Sequence, residues 1–556
     1  MPNCTPPTST RGASVIPQPA TMATSDSVFV LDASCAISAS HDAEPAGALL
    51  AQRLRTACGL PAPVTTTPGA SIDIRIDSAL AAEHYAVSVG TDGVVVRAGD
   101  AAGALHGAQT LLQLLPPDVH RSAPIGRTAW TLPCVEIVDG PRMRWRGVML
   151  DVARHFFAPR EIRRLIDLLA MHKLNVFHLH LTDDQGWRVQ IDKHPALTEI
   201  GGWRPRSQVG HRTAGVFDAR PHGGFYSRDD LREIVAYAEL RGVLVVPEVD
   251  LPGHVGAAVA AYPELGIPGR APAEVPGGWG ISSHVLNMRE STVAFCCDVL
   301  DELVDIFPSE VIGIGSDECP TEPWQNDPES VARAAELGLG SVAELQGWFV
   351  SRLEAHLAGL GRRAMGWEEV LDGPPSRVDT LVTVWRGSRA VARAAEAGHD
   401  VVSAADTSVY LDYRQSDGAD EPIPIGTIVD ADTVLAFDPM PDGLTDEAAQ
   451  HVLGGQANLW TENVDDPRMV DFYAFPRVCA LAEALWRGPG DPDEFAPRLD
   501  AHLERLRAAG VEFRPSEGPA PWQRRPDAQG SPKSLAQRQA ELNRLIDTGH
   551  TPITME

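Results

Sequence analysis

At 556 residues the chain exceeds one ordinary domain, and 44% hydrophobic residues give it ample material for a globular core. Its 75 acidic against 47 basic residues leave a net charge of −28, which argues against nucleic acid and anionic membranes as partners. No apolar run approaches the roughly 18 residues that a membrane span needs.

The predicted elements begin after residues 1–12, which read as disordered. The N-terminal stretch carries Pro, Thr and Ser but no charged region followed by an apolar one, so a cytoplasmic protein is expected. Residues 13–140 mix strand-like runs at 28–31, 72–76 and 93–97 with helical stretches at 44–57 and 101–115, the pattern of a small α+β domain. The eight cysteines are scattered without paired spacing, and Cys296 and Cys297 are adjacent on a predicted helix; reduced, buried thiols are expected.

Over residues 141–490 the rhythm changes to strand–helix alternation, the signature of parallel βα units. Candidate strands are 146–151, 175–182, 243–249, 311–316, 362–367, 380–385, 400–404 and 452–459. Pro159 opens a helix in which Ile162, Leu165, Ile166 and Leu169 recur at helical spacing. Eight parallel strands over roughly 340 residues predict an α/β fold, a (β/α)8 TIM barrel preceded by the small α+β domain. A single helix over 471–486 would close the barrel. The tail, 491–556, reads as an amphipathic helix, a Pro-rich linker and a polar helix at 532–547.

Chemistry-bearing residues cluster where these strands end. The fourth strand runs into Asp317 and Glu318, and two adjacent acids converge on one site only where a strand gives way to a loop. The other strands end near Arg154, near Asp183 and Asp184, near Glu248 and His254, at Trp367, at Trp385, near Tyr410 and Asp412, and at Trp460 and Glu462. Acids, an arginine and several tryptophans at one barrel mouth suit a sugar, whose C–H faces lie on aromatic rings and whose hydroxyls bond charged groups. There is no H-E-x-x-H, no Cys/His quartet and no phosphate loop, so no cofactor and no metal are predicted.

Across about 13–490 the chain resembles glycoside hydrolase family 20, the β-N-acetylhexosaminidases. The resemblance rests on R-G-x-M-L-D-x-A-R-H (146–155), H-L-T-D-D-Q-G-W-R (180–188), D-x-P-G-H (250–254), G-x-D-E (315–318), G-W (366–367), x-W-R (384–386), Y-x-D-Y (410–413) and N-L-W-T-E (458–462). It implies exo-acting release of terminal GlcNAc or GalNAc from β-linked N-acetylhexosamine glycans such as chitobiose. The nucleophile would be the substrate's own 2-acetamido oxygen, which forms an oxazolinium ion with net retention. Glu318 would then be the general acid/base, with adjacent Asp317 helping to keep it protonated. Asp317 would orient the acetamido N–H and Tyr410 would hold the attacking carbonyl. Asp183 and His254 would form a supporting pair, while Asp184, His178 and His180 would be structural. Trp367, Trp385 and Trp460 would box the sugar; Arg154, Asp412 and Glu462 would bind hydroxyls.

Two positions depart from the family's usual His-x-Gly-Gly-Asp-Glu: Gly313 stands at the His and Ser316 at the second Gly. They bear on rate and substrate preference more than on reaction class. Two other readings compete. One is a two-carboxylate retaining glycosidase with Asp183 as the second acid, which needs carboxyls about 5 Å apart. The other is a catalytically weak or silent glycan-binding protein on the same scaffold. A monomer or homodimer is expected.

Overall fold

The computed structural model describes residues 13–127, 129–372 and 376–548. The disorder expected at 1–12 lies outside these residues. The chain forms two compact units, one of Met1–Arg142, Ala170–Lys173 and Trp486–Glu512, the other of Met143–Leu169, Leu174–Leu485 and Phe513–Glu556.

The first unit is a seven-stranded mixed sheet carrying helices Glu44–Arg53 and Ala101–Leu114. Its strand Val94–Ala98 buries Val94, Val96 and Ala98 on one face, as a period of two dictates. Asp100 caps the second helix by accepting from the Gly103 amide at 2.8 Å. That helix lies so close to the sheet that a Cβ at Gly107 would stand 2.5 Å from Val96. Glycine there is a packing requirement.

In the second unit, eight parallel strands close a barrel in chain order: Trp145–Asp151, Val176–His180, Leu244–Glu248, Val311–Gly315, Arg363–Trp367, Leu381–Val384, Val401–Ser403 and Val452–Leu459. Every barrel strand predicted from the sequence is present, with ends shifted by at most two residues. Trp145, Val176, Val246, Val311, Met365, Leu381 and Val402, one from each of seven strands, form an apolar cluster within the barrel, and Leu453 of the eighth packs against it. The register then sets Asp151 beside His180, His180 beside Glu248, and Glu248 beside Gly313 at the C-terminal strand ends. Apolar side chains fill one level and polar ones line the next.

The helix expected over 471–486 is in fact two, Pro467–Ala474 and Arg477–Arg487. Pro476 has no N–H to donate and disfavours a helical Phe475, so the first helix stops before it. The tail is divided as well. Helix Pro492–Ala508 belongs to the first unit and helix Leu535–Thr548 to the second.

Candidate active site

The loop after the fourth strand is shaped by backbone strain. Gly315, Ser316 and Glu318 all have positive φ, at 65°, 77° and 44°. Asp250 Oδ1 accepts from the Ser316 amide at 2.9 Å, and a Cβ at Gly315 would stand 2.0 Å from that oxygen. Only glycine fits at 315. Ser316 carries a left-handed strain of about 1–3 kcal/mol, offset by Gln346 Nε2 donating to its carbonyl (2.8 Å) and hydroxyl (3.2 Å). This turn lets Asp317 and Glu318 line the same cavity.

Gly313 answers a second close approach. A Cβ there would lie 2.7 Å from Glu248 Cβ. The Glu248 carboxylate accepts from Trp367 Nε1 at 2.9 Å and pairs with His178 at 2.5 Å and His180 at 3.3 Å. Burial opposes the charged form, yet the two imidazoles hold the Glu248 carboxyl well below the usual range. His178 and His180 thus do more than pack between strands: they clamp the acid that anchors Trp367.

The cavity at the barrel mouth has a volume of about 200 Å³. Of the residues predicted for the site, Arg154, His254, Asp317, Glu318, Trp367 and Trp385 line it, as do Tyr410, Asp412, Trp460 and Glu462. Asp183 sits just behind. Its Oδ2 pairs with Arg154 Nη2 (2.8 Å) and His180 (3.0 Å); its Oδ1 accepts from the Asp184 amide (2.7 Å) and contacts His254 (3.2 Å). Asp151 and Gln185 complete the hold on Arg154, whose guanidinium lies 5.1 Å from the centre of the Trp460 ring. Trp367 and Trp460 are 5.8 Å apart, and Tyr410 is 6.3 Å from Trp460.

His254 links this network to the acids. Its Nδ1 faces Asp183 and Asp184, and its Nε2 lies 3.9 Å from both Asp317 Oδ2 and Glu318 Oε2. Burial works against its cation, but the carboxylates win and hold its pKa well above the ordinary value. The Glu318 carboxyl is pushed up chiefly by burial; His254 opposes the rise and Asp317 adds to it. The neighbouring acid, expected to help keep Glu318 protonated, acts in that direction but less than burial does. Glu318 keeps 32% of its side chain exposed, enough to meet a substrate, against 3% for His254. Asp317 Oδ1 and Asp412 Oδ1 are buried without a hydrogen-bond partner among the described residues. Each is an acceptor suited to an incoming N–H or O–H. Burial also raises the Tyr410 phenol well above its usual pKa, which keeps it a donor.

Among the described residues of this unit, three His/carboxylate triples bring ligand atoms within 4.8 Å: His180–Asp183–Asp250, Asp183–Asp184–His254 and Asp250–His254–Asp317. The ion pairs just described account for the first two, since each imidazole already faces a carboxylate. In the third, burial and then Asp317 push the Asp250 carboxyl well above its ordinary pKa.

Several residues at the site were given no role by the sequence, among them Tyr413, the last residue of the Y-x-D-Y motif. Tyr413 and Arg538 line the cavity. Glu369 accepts from Trp385 Nε1 (3.3 Å) and Arg386 Nη2 (2.6 Å), and Arg386 Nε pairs with Glu368 (3.1 Å), so a buried charge cluster backs Trp385. Burial lifts the Glu369 carboxyl to about 7 against the pull of Arg386. The strand-end signal reached Glu368 and Arg386 but carried no sign of their pairing, and Arg538 had no signal at all.

The model of "Glycosyl hydrolase family 20, catalytic domain" matches residues 143–489, and that of its domain 2 matches 12–140. A beta-hexosaminidase of Porphyromonas gingivalis is 36% identical over 90% of this chain, which spans 64% of that relative's length. A beta-N-acetylhexosaminidase of Cellulomonas fimi is 32% identical over 90% of this chain and 96% of its own. The N-acetyl-beta-hexosaminidase of Streptomyces plicatus in complex with Thio-NAglucal superposes with a TM-score of 0.79 at 32% identity, over 93% of this chain and 97% of that one. With the barrel, the motifs and the matched span in agreement, the chain belongs to glycosyl hydrolase family 20.

Proposed function

We propose that the protein is an exo-acting, retaining β-N-acetylhexosaminidase that releases terminal GlcNAc or GalNAc by substrate-assisted catalysis. The observation that carries this reading is the pairing of a partly exposed Glu318 with an Asp317 whose Oδ1 is unpartnered in the same cavity. Glu318, its carboxyl raised by burial, protonates the leaving oxygen and later takes a proton from water. Asp317 accepts the acetamido N–H and stabilises the charge that develops there. Tyr410 donates to the acetamido oxygen and aims it at the anomeric carbon. Arg154, Asp412 and Glu462 serve the hydroxyls, and Trp367, Trp385 and Trp460 form the apolar walls.

A two-carboxylate mechanism needs a second acid with an oxygen to spare. Asp183 has none, because both oxygens are committed to Arg154, His180, His254 and the Asp184 amide. A silent binding protein is disfavoured by the retention of acid, orienting carboxylate and tyrosine together. The names of the relatives support the same substrate class. The experiment is hydrolysis of 4-nitrophenyl N-acetyl-β-D-glucosaminide beside the matched β-D-glucoside. Cleavage of the acetamido sugar alone is expected; equal cleavage of both would overturn the mechanism.

A further inference from the structure

The matched catalytic span ends at residue 489, yet one lining residue comes from beyond it. Arg538 sits on the helix Leu535–Thr548, in a segment firmly attached to the barrel unit. Ile425–Gly426 pairs with Ser531–Pro532 as a short parallel ladder, and Lys533 N donates to the Gly426 carbonyl at 2.8 Å. Leu542 and Ile546 of the helix are buried. The arginine is therefore held in place by its backbone as well as by its partners.

Two of its nitrogens are committed. Nε donates to Asp406 Oδ2 at 2.6 Å, an oxygen that also accepts from Tyr413 Oη at 3.1 Å, and Nη1 donates to Glu541 at 3.0 Å. Nη2 has no hydrogen bond to another described residue. The guanidinium stands 5.7 Å from the Trp385 ring centre and lines the cavity with Glu318. Under the reading above, the hydroxyls, acetamide and faces of the terminal sugar already have partners. What remains near the acid is the leaving side, because Glu318 must meet the glycosidic oxygen. Arg538 also contributes to the electrostatic environment of Glu318. With two carboxylates on the guanidinium and a net charge of −28, this is a donor for a neutral hydroxyl rather than a receptor for an anion.

We propose that Arg538 is a specificity-determining residue that donates from Nη2 to a hydroxyl of the sugar on the leaving side of the scissile bond, so that the segment after residue 489 completes the active site. The proposal rests on the hexosaminidase reading and deepens it.

The test compares kcat/KM on chitobiose with that on 4-nitrophenyl N-acetyl-β-D-glucosaminide, for wild type, Arg538→Ala and the double variant Arg538→Met/Asp406→Asn. The double variant removes both charges together, so that no buried carboxylate is left unpaired. In both variants the chitobiose-to-aryl ratio of kcat/KM should fall about tenfold or more, the worth of a hydrogen bond from a charged donor. The loss should appear chiefly as a raised KM for the disaccharide. Equal losses on the two substrates, or none, in an active enzyme would overturn the assignment of Arg538 alone. A wild type inactive on both would overturn the hexosaminidase reading and this proposal with it.

Discussion

The two levels of the barrel are built from the same strands by opposite rules. In the apolar layer, Val176, Val311 and Leu381 contribute volume, and each is defined mainly by size. At the mouth, Asp183, Arg154, His254 and Glu248 are defined by one another, since each buried charge is balanced by a residue of another strand or loop. Losing a methyl group below leaves a gap. Losing a charge above leaves its partner buried and unpaired. Volume thus governs the lower level and charge balance the upper.

Four substitutions sharpen or break that contrast. Glu318→Gln should lower kcat/KM by about 10²- to 10⁴-fold, the usual worth of a general acid, while the unfolding midpoint stays in place. A matching loss of stability would erase the distinction. Leu381→Ala should do the converse, costing about 2–5 kcal/mol in denaturant unfolding with kcat/KM retained where the fold is intact. A selective loss of activity would show the layer to be part of the site.

His254→Asn probes the link between network and acid. The His254 cation opposes the rise of the Glu318 pKa, so its removal favours the protonated acid. The alkaline limb of the kcat/KM–pH profile should move to higher pH, and a shift the other way would contradict the electrostatic assignment. Ser316→Gly should have the smallest effect. Relief of left-handed strain and loss of the hydroxyl contact with Gln346 nearly cancel, leaving a stability change within about 1 kcal/mol.

The apolar level was legible because β-branched runs such as 243–249 and 380–385 announce buried strands by themselves. The acids of the site were legible from their place just past those runs. Partnership was not legible. Gly313 makes sense only once Glu248 is known to press against it from the neighbouring strand. Arg538 lies 220 residues beyond Glu318 on a helix that reads as mostly polar, and no local pattern ties the two. The break at Pro476 was a local signal overlooked, since proline mid-helix contradicts a single element over 471–486.

The central claim is that the substrate's own carbonyl is the nucleophile. It is tested most directly with a series of 4-nitrophenyl β-glucosaminides whose N-acetyl group carries zero, one, two or three fluorines. Each fluorine weakens the carbonyl oxygen as a nucleophile while leaving the aryl leaving group unchanged. Substrate assistance requires a steep, progressive fall in kcat/KM across the series. A flat response would place the nucleophile on the protein and contradict the roles given to Asp317 and Tyr410.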